Sequence, residues 1–168
     1  MQVQKKLFHC GDVLLATMDK EIEEVLAAVH AVEWRDSFEY THGGTVYRHQ
    51  AAYNLALAAE FGTMGWDPQP VLRTDPKLIG DFRKGLVFVE VQFGNAAALY
   101  RDFYKFQYGL ANGLLSLAVL VVPSDPVRFF PTRRGSVRNM ADFGLADRCL
   151  SVLPVNVPTL LPGLRPAA

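Results

Sequence analysis

Cysteine is scarce in this sequence, which has only Cys10 and Cys149 among 168 residues. Two cysteines provide neither a disulfide framework nor a cysteine metal cluster, and they are typical of a reduced, cytoplasmic compartment. Long apolar runs are also absent, since the longest, Leu114–Val122, covers nine residues and is interrupted by Ser116. A membrane-spanning helix needs ~20 such residues. We therefore expect a cytoplasmic protein with no membrane partner.

An excess of charge of either sign is missing as well. Lys and Arg total 17, Asp and Glu total 17, and the formal net charge is zero. Such a balance gives no global argument for a polyanionic partner, so any nucleic-acid site must come from local clustering. The THGGT segment lacks the GK[ST] ending of a Walker loop, and no G-x-S-x-G elbow occurs.

The composition is that of a folded chain. Half of the residues are apolar and 20% are charged, with eleven Phe and six Tyr. This length is typical of one domain with a substantial core, so we expect a single domain spanning residues 1–168.

Periodicity predicts helices and extended segments in the first half of the chain. We predict a strand–turn–strand unit over 3–17, a helix over 20–34 with Asp19 as N-cap, a polar loop over 35–45 and a helix over 47–62. The second helix carries Tyr53, Leu57 and Phe61 on one stripe. Prolines then indicate an extended connection.

The second half begins with a strand–helix–strand pattern. The β-branched and aromatic run 86–93 predicts a strand, 96–112 has helical periodicity, and 114–122 reads as a buried strand. This order is typical of an α/β sheet. The last 45 residues contain several prolines and favour short strands and loops rather than helices.

Two carboxylates are predicted to converge beside the first of these strands. Alternation places Phe88, Glu90 and Gln92 on one face, among strongly apolar neighbours. A buried Glu90 needs a cation, a hydrogen-bond donor or solvent. Asp81 precedes a turn at Lys84-Gly85, and a hairpin there would bring it near Glu90. Carboxylate oxygens are ligands that Mg²⁺ prefers.

The run Asp81-Phe82, Val87, then Glu90-Val91-Gln92-Phe93-Gly94 resembles the active-site motif of the BglII/BstYI type II restriction endonucleases. This branch of the PD-(D/E)xK nuclease superfamily has Gln where most members have Lys. The helix containing Asn54, Gly65-Trp66 and the DPKLI run at 75–79 are collinear with the family. The resemblance implies a restriction-endonuclease-like α/β core with a central mixed sheet flanked by helices. In family enzymes an insert usually precedes the catalytic Asp, whereas here only Gly80 separates Ile79 from Asp81.

The resemblance implies roles for individual residues. Asp81, Glu90 and the main-chain carbonyl of Val91 would bind Mg²⁺, and Gln92 would orient the attacking water. Asn54 matches a family position near the active site. Other interpretations stay open: Gln92 as a core amide bonded to a neighbouring strand, Asp81 as a turn residue, and Asn54 as a solvent-facing helical residue.

The implied DNA contacts lie further along the chain. Asn95 matches a family position that faces DNA, although a helix N-cap is an equally good interpretation. Basic residues cluster in the C-terminal part, where Arg133, Arg134 and Arg138 are candidates for phosphate contact. A solvated basic loop is the alternative, but the family uses its C-terminal third for DNA contacts.

The leading hypothesis is a Mg²⁺-dependent type II restriction endonuclease. The resemblance implies a homodimer that cuts double-stranded DNA at a short palindrome with a GATC centre, leaves 5′-phosphates and works beside a cognate DNA methyltransferase. Two alternatives remain: a catalytically idle DNA-binding relative with the same fold, and a nuclease for non-duplex or damaged nucleic acid.

Overall fold

The computed structural model describes residues 1–130 and 137–166. The first part contains β1 (Gln2–Phe8), α1 (Asp12–Thr17), α2 (Asp19–Ala31), β2 (Glu39–His42), β3 (Thr45–Arg48) and α3 (Gln50–Thr63). The middle contains β4 (Asp67–Pro68), β5 (Val71–Thr74), β6 (Lys77–Ile79), β7 (Phe82–Lys84), β8 (Val87–Val91) and α4 (Ala98–Ala111). The last part contains β9 (Leu117–Pro123), α5 (Pro126–Phe129), α6 (Phe143–Val152) and β10 (Thr159–Arg165).

A six-stranded mixed sheet forms the centre of the fold, in the order β1-β10-β9-β8-β7-β4. Strands β8, β9 and β10 are parallel to one another, whereas β1, β7 and β4 pair antiparallel with their neighbours. Helix α4 connects the parallel neighbours β8 and β9, as the strand–helix–strand pattern predicts. The predicted α/β class with a mixed central sheet is confirmed.

Alternation along β8 divides the core into two halves. Val87, Val89 and Phe93 join the cluster built on α2 and α3, while Phe88 joins the cluster built on α4 and α6. The predicted stripe of Tyr53, Leu57 and Phe61 on α3 is buried in the first cluster, as expected for an amphipathic helix. Glu90 and Gln92 share the face of Phe88 and therefore point toward α4.

The N-terminal prediction is wrong in three places. Residues 12–17 form α1 instead of a second strand, because Gly11 takes an extended N-cap conformation and Asp12 occupies the first turn, where a carboxylate favours the helix. Asp19 is the first residue of α2 and Met18 is its N-cap, so Asp19 is not the cap. The predicted loop 35–45 contains much of a hairpin, in which Gly43 and Gly44 adopt positive φ at the turn.

The prediction for the C-terminal segment also fails, because a ten-residue helix, α6, lies there. Asp142 caps it by accepting a hydrogen bond from the backbone N–H of Leu145 at 2.8 Å. The helix buries Ala146, Cys149 and Leu150 against the sheet, and Pro154 follows its end. The prolines of this segment indicated loops, and they outweighed the single start signal at Asp142.

Within the described residues, no helix is long and apolar enough to cross a membrane.

Candidate active site

A tight hairpin places the two predicted acidic residues next to each other. Strand β7 pairs antiparallel with β8 with Phe82 opposite Val89 and Lys84 opposite Val87, and Gly85 takes positive φ in the turn. Asp81 lies one residue before this ladder and accepts a hydrogen bond from the backbone N–H of Val91 at Oδ2, 2.7 Å away. The sheet register therefore brings Asp81 to the level of Glu90 and Val91.

Asp81, Glu90 and Gln92 border one open polar cavity of ≈ 430 Å³. Cationic side chains border it as well, namely Lys77 and Arg101, which are exposed, and Lys105, which is buried. An anionic ligand could thus contact positive charge at the rim and in the interior of the same cavity. In an extended strand the N–H and C=O of one residue share a side, so the carbonyl of Val91 points toward the side of Asp81.

Helix α4 adds two charged residues that the sequence motif did not indicate. The Nζ atom of Lys105 lies 2.8 Å from Glu90 Oε1 and 3.0 Å from Asp102 Oδ1. The Asp102 side chain is fully buried, and that of Lys105 is 6% exposed. Each of them directly precedes a core residue, Phe103 or Phe106, and so lies about 100° around the helix from it, which means that the apolar periodicity of α4 gives no signal for either.

The amide of Gln92 is held at both ends. Its Nε2 donates to Asp102 Oδ2 at 2.6 Å, and its Oε1 accepts from the backbone N–H of Gly94 at 2.9 Å. A Cβ at position 94 would lie 2.8 Å from that oxygen, so the glycine there leaves room for the Gln92 amide. Gln92 borders the cavity with a fixed orientation, and its amide is bonded to a helix residue and to the nearby backbone rather than to a neighbouring strand.

Burial controls the ionisation of this cluster. It raises the pKa of Glu90 to about 8, helped by the charges of Asp81 and Asp102 and opposed by Lys105. Burial also raises the pKa of Asp81, although the hydrogen bond from Val91 opposes the shift. For Lys105, burial lowers the pKa, but Glu90 and Asp102 outweigh it and the pKa ends above its usual value, so the ammonium stays charged.

The donor set fits a hard divalent cation. In the inner cluster, Asp81, Glu90 and Asp102 contribute three negative charges when ionised and Lys105 contributes one positive charge, an excess of two negative charges, whereas Lys77 and Arg101 lie at the rim of the cavity. The buried Oε1 atom of Glu90 accepts no directed hydrogen bond among the described residues. No group of three or more His, Cys, Asp or Glu forms a ready metal cage in the described chain. Mg²⁺ commonly uses one or two carboxylates and completes its shell with water.

The structure places Asn54 near Asp81. It is exposed on α3 and borders a small cavity of ≈ 80 Å³ together with Asp81 and Val91. The position predicted from the resemblance is thus within the neighbourhood of the site, although Asn54 does not border the larger cavity.

Backbone pairing brings two candidate DNA contacts together. Asn95 forms a bridge with Met140, and the N–H of Ala96 donates to the carbonyl of Asn139 at 2.7 Å. Arg138 is exposed next to this bridge. Asn95 Oδ1 accepts from the N–H of Ala97 at 2.8 Å, so Asn95 caps the turn that leads into α4, whose own N-cap is Ala97. Arg133 and Arg134 lie outside the described residues.

Comparisons with known proteins agree with the fold described above. A sequence model of the family described as restriction endonuclease BglII/BglIII matches residues 4–150. Among solved structures, the chain is similar to the crystal structure of restriction endonuclease BglII complexed with a DNA 16-mer, with a TM-score of 0.76 and 16% identity over 98% of this chain and 76% of that chain. It is also similar to free BglII, with a TM-score of 0.68 and 18% identity over 99% of this chain and 81% of that chain.

These structural identities are low and show the fold, whereas the family assignment comes from the sequence match. Among curated proteins, none matches the chain. The match to the family model covers most of the 168 residues, from the first strand into α6. The chain therefore belongs to the BglII/BglIII restriction endonuclease family.

Proposed function

We propose that this protein is a Mg²⁺-dependent endonuclease that hydrolyses DNA phosphodiester bonds at the cavity bordered by Asp81 and Glu90. The observation that carries the proposal is the convergence of these carboxylates with Gln92 in one polar cavity, at the carboxyl end of β8 in a sheet with the family's fold. Asp81, Glu90 and the Val91 carbonyl would hold the metal. When bound, Mg²⁺ supplies positive charge beside the scissile phosphate and lowers the pKa of water.

The chemistry is an in-line substitution at phosphorus. The oxygen of a water molecule forms a bond to phosphorus, the bond from phosphorus to the 3′-oxygen breaks, and the 5′-phosphate remains on the other fragment. The water gives up one proton and the 3′-oxygen takes one up. Gln92 orients the attacking water with the amide N–H that its bond to Asp102 does not use, and it adds no charge because an amide stays neutral.

DNA would lie across the surface where the carboxyl end of β8 meets the segment around Met140. If the hydrogen bond from the Ala97 N–H to Asn95 Oδ1 is released, Asn95 can pair bidentately with adenine in the major groove. The exposed Arg138 is available for phosphate contact. Arg133 and Arg134, which lie outside the described residues, are proposed from the sequence alone as further phosphate contacts. Asn54 would act from α3 beside Asp81.

Cutting both strands of a palindrome requires two sites related by a two-fold axis, so we propose a homodimer. The exposed Tyr100 and Tyr104 on α4 are a candidate dimer surface. The recognition sequence is proposed to be a short palindrome with a GATC centre, protected in the host by a cognate DNA methyltransferase. The GATC centre and the methyltransferase are proposed from the resemblance to the BglII/BstYI enzymes.

A plasmid cleavage assay tests the proposed activity. Purified protein should convert supercoiled plasmid to linear DNA in Mg²⁺, and a chelator should stop the reaction. Asp81→Asn should abolish cleavage while DNA binding in Ca²⁺ stays within a fewfold of wild type, because the variant loses a metal ligand and keeps the DNA surface. Near-wild-type cutting by Asp81→Asn would contradict the assignment of metal ligands. Cleavage confined to single-stranded or damaged substrates would instead favour a repair-type nuclease.

A further inference from the structure

Lys105 is a buried cation inside the candidate active site, and the motif assigns it no role. Its side chain is 6% exposed, and it borders the same cavity as Asp81, Glu90 and Gln92. Burying an ammonium is unfavourable unless it is paired, and Lys105 is paired with two carboxylates. The other cations at the cavity, Lys77 and Arg101, are exposed at its rim, where they suit DNA backbone contacts.

We propose that Lys105 is a catalytic residue that donates a hydrogen bond to a nonbridging oxygen of the scissile phosphate. The proposal rests on the phosphodiester hydrolysis proposed above. An ammonium has three N–H donors, and its ionic contacts to Glu90 at 2.8 Å and Asp102 at 3.0 Å engage at most two of them. The third remains for an oxygen that enters the cavity.

The geometry also allows Lys105 to turn toward a ligand. Neither Glu90 Oε1 nor Asp102 Oδ1 accepts a directed hydrogen bond in the described part of the chain. The ammonium of Lys105 is therefore held mainly by electrostatic attraction, which does not fix the direction of its N–H groups. As water adds to phosphorus, the phosphoryl oxygens must carry the developing negative charge. A cation whose side chain is held in the protein interior stabilises that charge, and the neutral Gln92 cannot do so.

Asp102 acts as a positioning residue in this arrangement. One of its oxygens accepts from Gln92 Nε2 at 2.6 Å and the other faces Lys105 Nζ at 3.0 Å. It therefore fixes the distance between the amide that orients the water and the ammonium that contacts the phosphate. The buried positive charge at this cavity thus comes from α4 and not from the strand that carries Glu90.

A competition for Glu90 gives the proposal a distinctive signature. Lys105 and the divalent ion share the Glu90 carboxylate, so removing the ammonium should strengthen metal binding while it slows cleavage. A lysine that only held Glu90 in place would, on removal, weaken metal binding and cleavage together.

The test compares Lys105→Met and Lys105→Arg with wild type. Ca²⁺ affinity is measured by titration calorimetry, DNA affinity in Ca²⁺ by fluorescence anisotropy, and the single-turnover cleavage rate in Mg²⁺ with enzyme in excess. We expect Lys105→Met to lose ~10²–10³-fold in rate, the range for one lost charge-stabilising donor. Its Ca²⁺ affinity should rise, its DNA affinity should change little, and Lys105→Arg should regain part of the rate.

Two further variants control for folding and charge. Lys105→Met combined with Asp102→Asn keeps the net charge of the buried cluster, retains an acceptor for Gln92, and should show the same loss of rate. Lys84→Met is the matched control, because Lys84 is a half-buried lysine paired with Glu24 at 2.7 Å and does not border the cavity. It should cut at the wild-type rate at temperatures below its melting transition.

The proposal fails if Lys105→Met cuts within a fewfold of wild type, or if its rate and Ca²⁺ affinity fall together. Failure of both neutral variants to fold also overturns it, since Lys105 would then be a structural cation. Wild-type protein that cuts no DNA sinks the proposed function itself, whereas a cutting wild type with a cutting Lys105→Met variant rejects this inference alone.

Discussion

At the residue scale, the site is a small buried network in which each polar atom constrains its neighbour. Asp102 contacts both Gln92 and Lys105, and Lys105 contacts Glu90. Such networks have coupled energetics, because removing one member leaves the others unpaired in a low-dielectric environment. Substitutions here are therefore best judged with controls elsewhere on the same elements.

Gln92 provides the first prediction. Gln92→Ala should lower the single-turnover rate about 10²-fold, the scale for loss of precise orientation, while DNA affinity in Ca²⁺ stays close to wild type. Gln107→Ala is the control, because Gln107 lies on α4 and bonds the carbonyl of Pro154, away from the cavity. An unchanged rate in Gln92→Ala would leave Gln92 as a core amide with no part in orienting water.

The raised pKa of Glu90 gives a pH prediction for the metal-free protein. Folding raises this pKa from 4.5 to about 8, so the folded state holds the proton more tightly than the unfolded state does. The sign follows from linkage: this contribution to stability is present at low pH and is lost as the pH rises through about 8. Asp81, whose pKa is also raised, contributes with the same sign.

We expect the free energy of unfolding, measured by urea denaturation in a chelator, to fall by of order 2 kcal/mol between about pH 6 and about pH 8. Glu90→Gln should remove most of this slope, because it keeps the shape and cannot titrate. Stability that instead rises with pH over this interval in wild type would mean that Glu90 is ionised throughout.

At the element scale, the short connection between β6 and β7 positions the first acidic residue. Only Gly80 separates β6 from Asp81. The N–H of Gly80 donates to the carbonyl of Pro70 at 3.0 Å, and the carbonyl of Asp81 accepts from the N–H of Gln69 at 2.8 Å. A Cβ at Gly80 would overlap the ring of the fully buried Phe88. The link between β6 and Asp81 is therefore short and packed on the core.

Gly80→Ala should therefore destabilise the protein by about 1–3 kcal/mol, the usual effect of overpacking, and should slow cleavage by displacing Asp81. Gly62→Ala is the matched control, since Gly62 lies in α3 with open space around its Cβ position. That change should be neutral or stabilising by roughly 0.5–1 kcal/mol. Equal melting temperatures for the two variants would contradict the packing argument.

The elements also show how far sequence reasoning reaches. Alternation correctly placed Glu90 and Gln92 on one face of β8, and the stripe on α3 correctly indicated its buried side. Helices α1 and α6 were not predicted from the sequence, because their start signals are single residues within turn-like or proline-containing segments, namely Gly11 and the cap residue Asp142. Asp102 and Lys105 were not predicted as site residues, because their contacts with Gln92 and Glu90 depend on how α4 packs against β8.

At the scale of the whole molecule, the neutral total charge conceals an uneven distribution. The cavity combines an acidic interior with exposed cations at its rim, and the bridge between Asn95 and Met140 brings the C-terminal segment beside the end of β8. DNA affinity should therefore depend on a few local cations rather than on the overall charge.

Arg138 tests that expectation. Arg138→Ala should weaken DNA binding by a similar factor for all sequences and reduce the slope of log K against log salt by ~0.9, the value for one phosphate contact. Lys20→Ala, which removes an exposed cation from α2, should leave the slope unchanged. If both variants keep the wild-type slope, Arg138 is solvated surface and the DNA path lies elsewhere.

The central claim is that two copies of this chain cut a defined DNA palindrome with the Asp81 and Glu90 site. Sequencing the ends that the purified protein produces from a defined plasmid in Mg²⁺ tests it most directly, with Glu90→Gln as the inactive control. We expect paired 5′-phosphate ends at symmetric positions of one GATC-containing sequence, and no such ends with Glu90→Gln. Ends scattered over unrelated sequences, or the same ends from Glu90→Gln, would contradict the claim.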